Sequence, residues 1–201
     1  MSLSSRMILV LTTVGLISGG FLASVAKLTK ERIALNIQAK IEEAIKIVVD
    51  DAEVSIVLYE EEDLVIYREL EDDGQLAGYA IQATGVGFQD KITLMFGLDE
   101  TLTKITGLTI IDQKETPGLG AKITEWDTFL QFWEDRDATG LLTLRKPPVR
   151  TSPELLTTEI NSITAATISS RKVLKVVNLS LEKVRGLIAE GKITSEEHDD
   201  H

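Results

Sequence analysis

The chain has 201 residues, with 32 acidic against 21 basic side chains and a net charge of −11, a length that fits one ordinary domain with some excess. So acidic a chain offers no broad electrostatic footprint for nucleic acid, and the absence of cysteine excludes disulfides, thiolate metal sites, iron–sulfur ligation and thiol nucleophiles. The two histidines, His198 and His201, lie in a terminal acidic tail, so redox or catalytic work has to come from carboxylates, hydroxyls, lysines or a borrowed cofactor.

Residues 7–26 carry no charge and are bounded by Arg6 and Lys27, enough helix at 1.5 Å per residue to cross a hydrocarbon core of about 30 Å. Within this run Thr12, Thr13 and Ser18 can satisfy their hydroxyls on the helix's own carbonyls, and Gly15, Gly19 and Gly20 offer a small-residue face to a neighbouring helix. Ser24-Val25-Ala26 would also serve as a signal-peptide cleavage site, but the apolar run exceeds an ordinary signal-peptide core, which favours a retained anchor. Lys27, Lys30, Arg32 and Lys40 follow the segment and only Arg6 precedes it; charge counting therefore points to a cytoplasmic domain, a rule that large domains escape.

Next, Ile33, Ile37, Ile41, Ile45 and Val48 recur at helical spacing, and no proline interrupts residues 7–49, which predicts one long helix. The acidic stretches 60–63 and 69–73 read as solvated turns flanking short strands over 55–58 and 64–67; EF-hand calcium spacing is missing from them. Ile92, Leu94, Phe96 and Leu98 alternate with smaller or polar residues as a half-buried strand, Asp99-Glu100-Thr101 forms a turn, and 104–111 supplies the second arm of a hairpin. Trp126, Phe129, Phe132 and Trp133 have the spacing of a core-facing helix. Ser152-Pro153-Glu154 reads as a helix start capped by serine, and Val173, Val177, Leu181, Val184 and Ile188 form the apolar stripe of a last helix that ends near Gly191. Helices thus flank a strand-rich middle, an α+β class.

Two short motifs stand out. Glu115-Thr116-Pro117-Gly118-Leu119-Gly120 follows a predicted strand; proline presets one turn position, and the glycines permit positive φ or close backbone approach. Leu119 either tucks into the core as part of a plain turn or stands exposed under something flat. Residues 162–170, Ser-Ile-Thr-Ala-Ala-Thr-Ile-Ser-Ser, directly precede the last helix. Small and hydroxylated residues there make either an anion site on the free helix N–H groups or a plain N-cap through Thr164 or Thr167.

Together the two motifs resemble the G subunit of Rnf-type ion-translocating ferredoxin:NAD oxidoreductases and the related C subunit of sodium-pumping NADH:quinone reductases. The first motif is intact at Glu115–Gly120. The second, Asp-x-x-(Ser/Thr)-Gly-Ala-Thr, reads here as Asn161-Ser162-Ile163-Thr164-Ala165-Ala166-Thr167, with Asn161 for Asp and Ala165 for Gly. The resemblance implies that FMN is joined by a phosphoester to Thr167, with Thr164, Ala165, Ala166, Ile168 and Ser169 around the phosphate and Glu115, Thr116, Pro117, Gly118, Leu119 and Gly120 against the flavin; no catalytic or metal-ligating residue is expected. It also implies a segment with a transmembrane helix over 1–26, a linking helix over 27–50, an FMN-binding domain over 51–191 with its core at 78–177, and an acidic tail over 192–201. The partners implied are the other membrane and redox subunits of such a complex and a flavin transferase during maturation, with the flavin domain on the extracytoplasmic face. Without a nicotinamide-type glycine fingerprint, the expected role is electron relay. Two other readings stay open: a membrane-anchored covalent-FMN domain of another respiratory or reductase system, and an anchored interaction domain in which both motifs are only turn and cap.

Overall fold

The computed structural model describes residues 2–193; the tail histidines and most of the expected 192–201 tail lie outside them. Helix α1 (Leu3–Val48) is continuous, as the unbroken, proline-free sequence predicts. It is the one helix among the described residues with a stretch long and apolar enough to cross a membrane. Its Thr12, Thr13, Ser24 and Thr29 hydroxyls donate to the carbonyls four residues earlier at 2.7–2.8 Å, which satisfies them without leaving the helix. The chain divides into two compact units between Ile41 and Glu42. The last two turns of α1, assigned to the linker by sequence, therefore belong with the domain: Ala44, Ile45 and Val48 are buried, as is the following Val49.

The domain is built on an antiparallel sheet in sequential order: β1 (Val54–Glu61), β2 (Leu64–Leu70), β3 (Leu76–Val86), β4 (Lys91–Leu98), β5 (Lys104–Asp112) and the short β6 (Arg136–Asp137). A separate parallel pair joins β7 (Thr143–Arg145) to β8 (Glu159–Asn161). Helix α2 (Thr167–Ala189) lays Val173, Val177, Leu181 and Val184 against a core containing Ile81, Leu94, Phe96, Phe129 and Trp133. At the β4–β5 turn the Asp99 carboxylate accepts N–H bonds from Thr103 and Lys104 at 2.7 and 2.9 Å.

Four expectations need correction. Strand β4 is buried on both faces, Met95 as fully as Phe96, because the end of α1 covers the second face: a Cβ on Gly97 would lie 2.1 Å from the Val48 carbonyl oxygen, and Thr106 donates to that same oxygen. The aromatic segment forms no α-helix. Phe132 and Trp133 are buried from the 3-10 turn Leu130–Trp133 and Phe129 from its N-cap, while Trp126, between that turn and the 3-10 turn Gly120–Thr124, is exposed. Ser152 does not cap a helix; Thr151 and Glu154 form a capping box around a single 3-10 turn, while Ser152 accepts a bond from the buried Arg136, which also donates to the carbonyls of Glu134 and Leu156.

The fourth correction concerns Glu69, which is no solvated turn residue. It lies on β2, is wholly buried, accepts a 2.5 Å bond from the Ser55 hydroxyl and leaves its other oxygen without a partner. Burial pushes its carboxyl above the usual carboxylate range, against the smaller opposing effect of the Ser55 bond. A group that holds its proton more tightly folded than unfolded loses its stabilising contribution as pH rises through the raised value. Glu69→Gln is therefore expected to gain thermal stability over the unmodified chain, by a margin that widens from pH 5 to pH 8; melting curves across that range check it, and a margin constant with pH would contradict it.

Candidate cofactor site

The two motifs meet through one carboxylate. Glu115 follows β5 and is buried, although Thr116, Pro117, Gly118 and Leu119 are exposed. Its Oε1 accepts backbone N–H bonds from Phe88 (2.7 Å) and Gln89 (3.1 Å), and its Oε2 accepts the Ser169 hydroxyl at 2.6 Å. Three segments distant in sequence, the β3–β4 turn, the 115–120 loop and the first turn of α2, are thereby pinned to one side chain. The packing leaves no room for side chains beside it. A Cβ on Gly87 would lie 2.6 Å from Glu115 Oε1, and one on Gly120 would lie 2.5 Å from Glu115 Oε2 and 2.6 Å from Ser169 Oγ. Gly120 is thus required for close approach, whereas Gly118, at φ 74°, supplies the left-handed turn.

The loop closes on Thr116, whose carbonyl accepts the N–H groups of Leu119 and Ala121, both at 3.1 Å; its hydroxyl accepts a 3.3 Å bond from Gln89 Nε2 and keeps its own proton for another acceptor. Lys114 holds Asp90 at 2.7 Å, and this pairing keeps the Asp90 carboxyl below the usual carboxylate range. Leu119 does not tuck into the core: it is 47% exposed, and Phe88 and Ile168, which flank residues bonded to Glu115, are 58% and 50% exposed.

At the other motif the N-cap position is Ala166, with no side-chain cap, so neither Thr164 nor Thr167 serves as the plain cap that sequence allowed. Thr164 and Ala165 are exposed and Thr167 half-buried. Thr167 opens α2, and its hydroxyl has no hydrogen-bond partner among the described residues. The N–H groups of Thr167, Ile168 and Ser169 are also without a backbone acceptor there, whereas those of Ala166 and Ser170 bond to Ile163 and Ala166 carbonyls; such open N–H groups at a helix start favour an anion. Ser170, wholly buried, fixes the preceding turn by accepting from Ile163 N–H and donating to the Ala166 carbonyl, both at 3.1 Å.

The two departures from the motif have different consequences. Asn161 uses both ends of its amide on the Val149 backbone, accepting at 2.9 Å and donating at 3.0 Å, so it braces β8 to the preceding loop in a way that an ionised aspartate cannot reproduce. Ala165 stands at φ 66°, so the methyl matters through backbone strain, costing about 1 kcal/mol relative to glycine. Sequence inspection missed Gly87, Phe88 and Gln89 and gave Ser170, the last residue of the second motif, no role of its own; a phenylalanine directly after a glycine between two predicted strands was the one available signal.

A free hydroxyl and open N–H groups at a helix start, beside an exposed apolar loop backed by a buried carboxylate, fit a cofactor that joins a phosphate to a flat aromatic ring. Among known proteins, residues 87–182 match the model of the FMN-binding domain family. The chain is further similar to the G subunits of ion-translocating complexes. It is 30% identical over 136 residues to the G subunit of the ion-translocating oxidoreductase complex of Methanosarcina acetivorans, covering 68% of this chain and 63% of that protein. It is also 30% identical over 116 residues to the G subunit of the Na(+)-translocating ferredoxin:NAD(+) oxidoreductase complex of Acetobacterium woodii, covering 57% and 53%. The matched region thus spans less than two thirds of either relative's own length. In fold the chain resembles Shewanella oneidensis NqrC, with a TM-score of 0.53 and 16% identity over 69% of this chain and 72% of that one.

The geometry carries two expectations for stability. Ala165→Gly is expected to raise unfolding free energy by about 1 kcal/mol, read from denaturant midpoints. Ser169→Ala, which removes a bond to a buried charged acceptor, is expected to lower it by about 2 kcal/mol; an unchanged midpoint would contradict the role given to Glu115.

Proposed function

We propose that the chain is the electron-carrying flavoprotein subunit of a membrane complex that couples electron transfer between ferredoxin and NAD to ion translocation, and that its FMN is held by a phosphoester to Thr167. The observation that carries this reading is the Glu115–Ser169 bond, which joins the exposed Glu115–Gly120 loop to the helix start where the Thr167 hydroxyl is unengaged. The names of the similar G subunits support the setting, and the apolar run of α1 supports an anchor.

When bound, FMN supplies one- and two-electron chemistry that no side chain of this cysteine-free protein offers. The chain's own part is to hold and orient. Thr167 supplies the attachment oxygen, and the N–H groups of Thr167, Ile168 and Ser169 offset the phosphate charge. The exposed side chains of Leu119, Phe88 and Ile168 offer apolar cover to the ring, and the Thr116 hydroxyl has a proton to donate to a ring heteroatom. Glu115 keeps the two halves of the site in register and is a positioning residue. Electrons pass between redox centres of partner subunits; a flavin transferase loads the site, and the flavin domain faces the extracytoplasmic side.

Co-expression with the host's flavin transferase, followed by a denaturing gel viewed under ultraviolet light, tests the attachment. The unmodified chain is expected to give a fluorescent band and Thr167→Ala none, with both chains equally abundant in the membrane fraction. A fluorescent band from the alanine variant would overturn the assignment.

A further inference from the structure

Charge is distributed very unevenly in this acidic protein. Residues 160–181 contain no acidic residue but include Arg171, Lys172 and Lys175. All three fall on the first half of α2, which has no acidic residue in its first turn; cations at this end oppose the helix dipole. None of the three forms an ion pair among the described residues, whereas Lys183, farther along the same helix, pairs with Glu61. Arg171 and Lys175 are exposed, and with them stand Leu179 (55% exposed) and Leu141 (70%). Two clefts flank this stripe: one of about 360 Å³, where Lys172, Lys175 and Leu179 face Gly85 and Val86 of β3, and one of about 620 Å³, where Leu141 and Leu174 lie with Asn178 and Arg185.

We propose that this first half of α2, from Arg171 to Leu179, is the docking face for an acidic redox protein, a different chain whose carboxylates pair with Arg171, Lys172 and Lys175 and whose apolar side chains enter the clefts beside Leu179 and Leu141. Charge complementarity selects the occupant. Three unpaired cations with an apolar centre match a partner patch of carboxylates around apolar residues, an arrangement that steers and orients association. A second copy seated face to face would set Arg171, Lys172 and Lys175 against their own counterparts, a like-charge contact that disfavours it. A membrane surface is a poorer match, because both clefts are concave and side chains fill concave clefts better than a lipid surface does. The proposal rests on the reading of Thr167 as the flavin carrier: the stripe begins one turn beyond that residue, so a partner seated on it lies beside the redox group.

Zero-length carbodiimide cross-linking of the detergent-solubilised native complex, with peptide mapping by mass spectrometry, tests the proposal. The intrachain pair Lys114–Asp90, at 2.7 Å, is the internal positive control. Cross-links from Lys172 or Lys175 to aspartate or glutamate of a different chain are expected, with a yield that falls about tenfold between low and high ionic strength. Leu179→Asp keeps both lysines but sets a negative charge at the centre of the face; it should abolish those cross-links and leave Lys114–Asp90 intact. Absence of Lys172 and Lys175 cross-links while the control forms, cross-links to a second copy of this chain, or salt-sensitive binding of the full chain to phosphatidylglycerol vesicles that Leu179→Asp abolishes would each overturn it. Peptide mapping of the same sample reports the flavin on Thr167 separately, so a failure of the cofactor reading is seen independently of the docking result.

Discussion

The carboxylate of Glu115 is the constraint on which the rest of the site depends. One buried side chain takes two backbone N–H bonds from the β3–β4 turn and one hydroxyl bond from the start of α2. Ionised carboxylates repay burial only when their lone pairs are occupied, and three donors do this here. Removing Ser169 leaves one oxygen short of a partner; enlarging Gly87 or Gly120 drives a side chain into the same oxygens. The loop beyond Glu115 is thereby free to expose Leu119 without losing its position, since its base is held by a buried charged group.

The sheet carries this constraint to the rest of the domain. Strands β3, β4 and β5 deliver the Gly87 turn and Glu115 to one end, and α2 crosses the sheet face with its first turn at the same end. The opposite face of β4 is closed by the end of α1, where Gly97 admits the Val48 carbonyl. The last turns of α1 are thus part of the domain's packing as well as the approach to its apolar segment. On the proposed function, this arrangement gives a membrane-tethered carrier whose cofactor is set by α2 and the Glu115 loop. The acid-free stretch of α2 then gives the carrier a polarity of charge that its overall composition conceals.

Much of this is legible in sequence where periodicity speaks. The apolar stripe of α2, the unbroken α1 and the β4–β5 hairpin all follow from spacing and turn chemistry. The aromatic segment deceived because Phe129, Phe132 and Trp133 share a helical interval, yet they are buried from a single 3-10 turn and its N-cap, whose period is close enough to mimic it. Glu69 deceived because an acidic residue near other acidic residues reads as solvated, whereas strand register places it inward. The two motifs were visible as strings, but their convergence was not: Glu115 and Ser169 are joined by a tertiary bond that no local rule anticipates, and Phe88 and Gln89 reach Glu115 through backbone N–H groups, which carry no sequence signature.

The central claim is that Glu115 and the start of α2 build a site whose attachment point is the hydroxyl of Thr167. Tandem mass spectrometry of the proteolytic peptide spanning residues 160–171, taken from the native membrane complex, tests it most directly. The account predicts a single flavin phosphate on Thr167. A flavin mapped to Thr164, Ser162 or Ser169, or an unmodified peptide from a complex that retains its other redox groups, would contradict it.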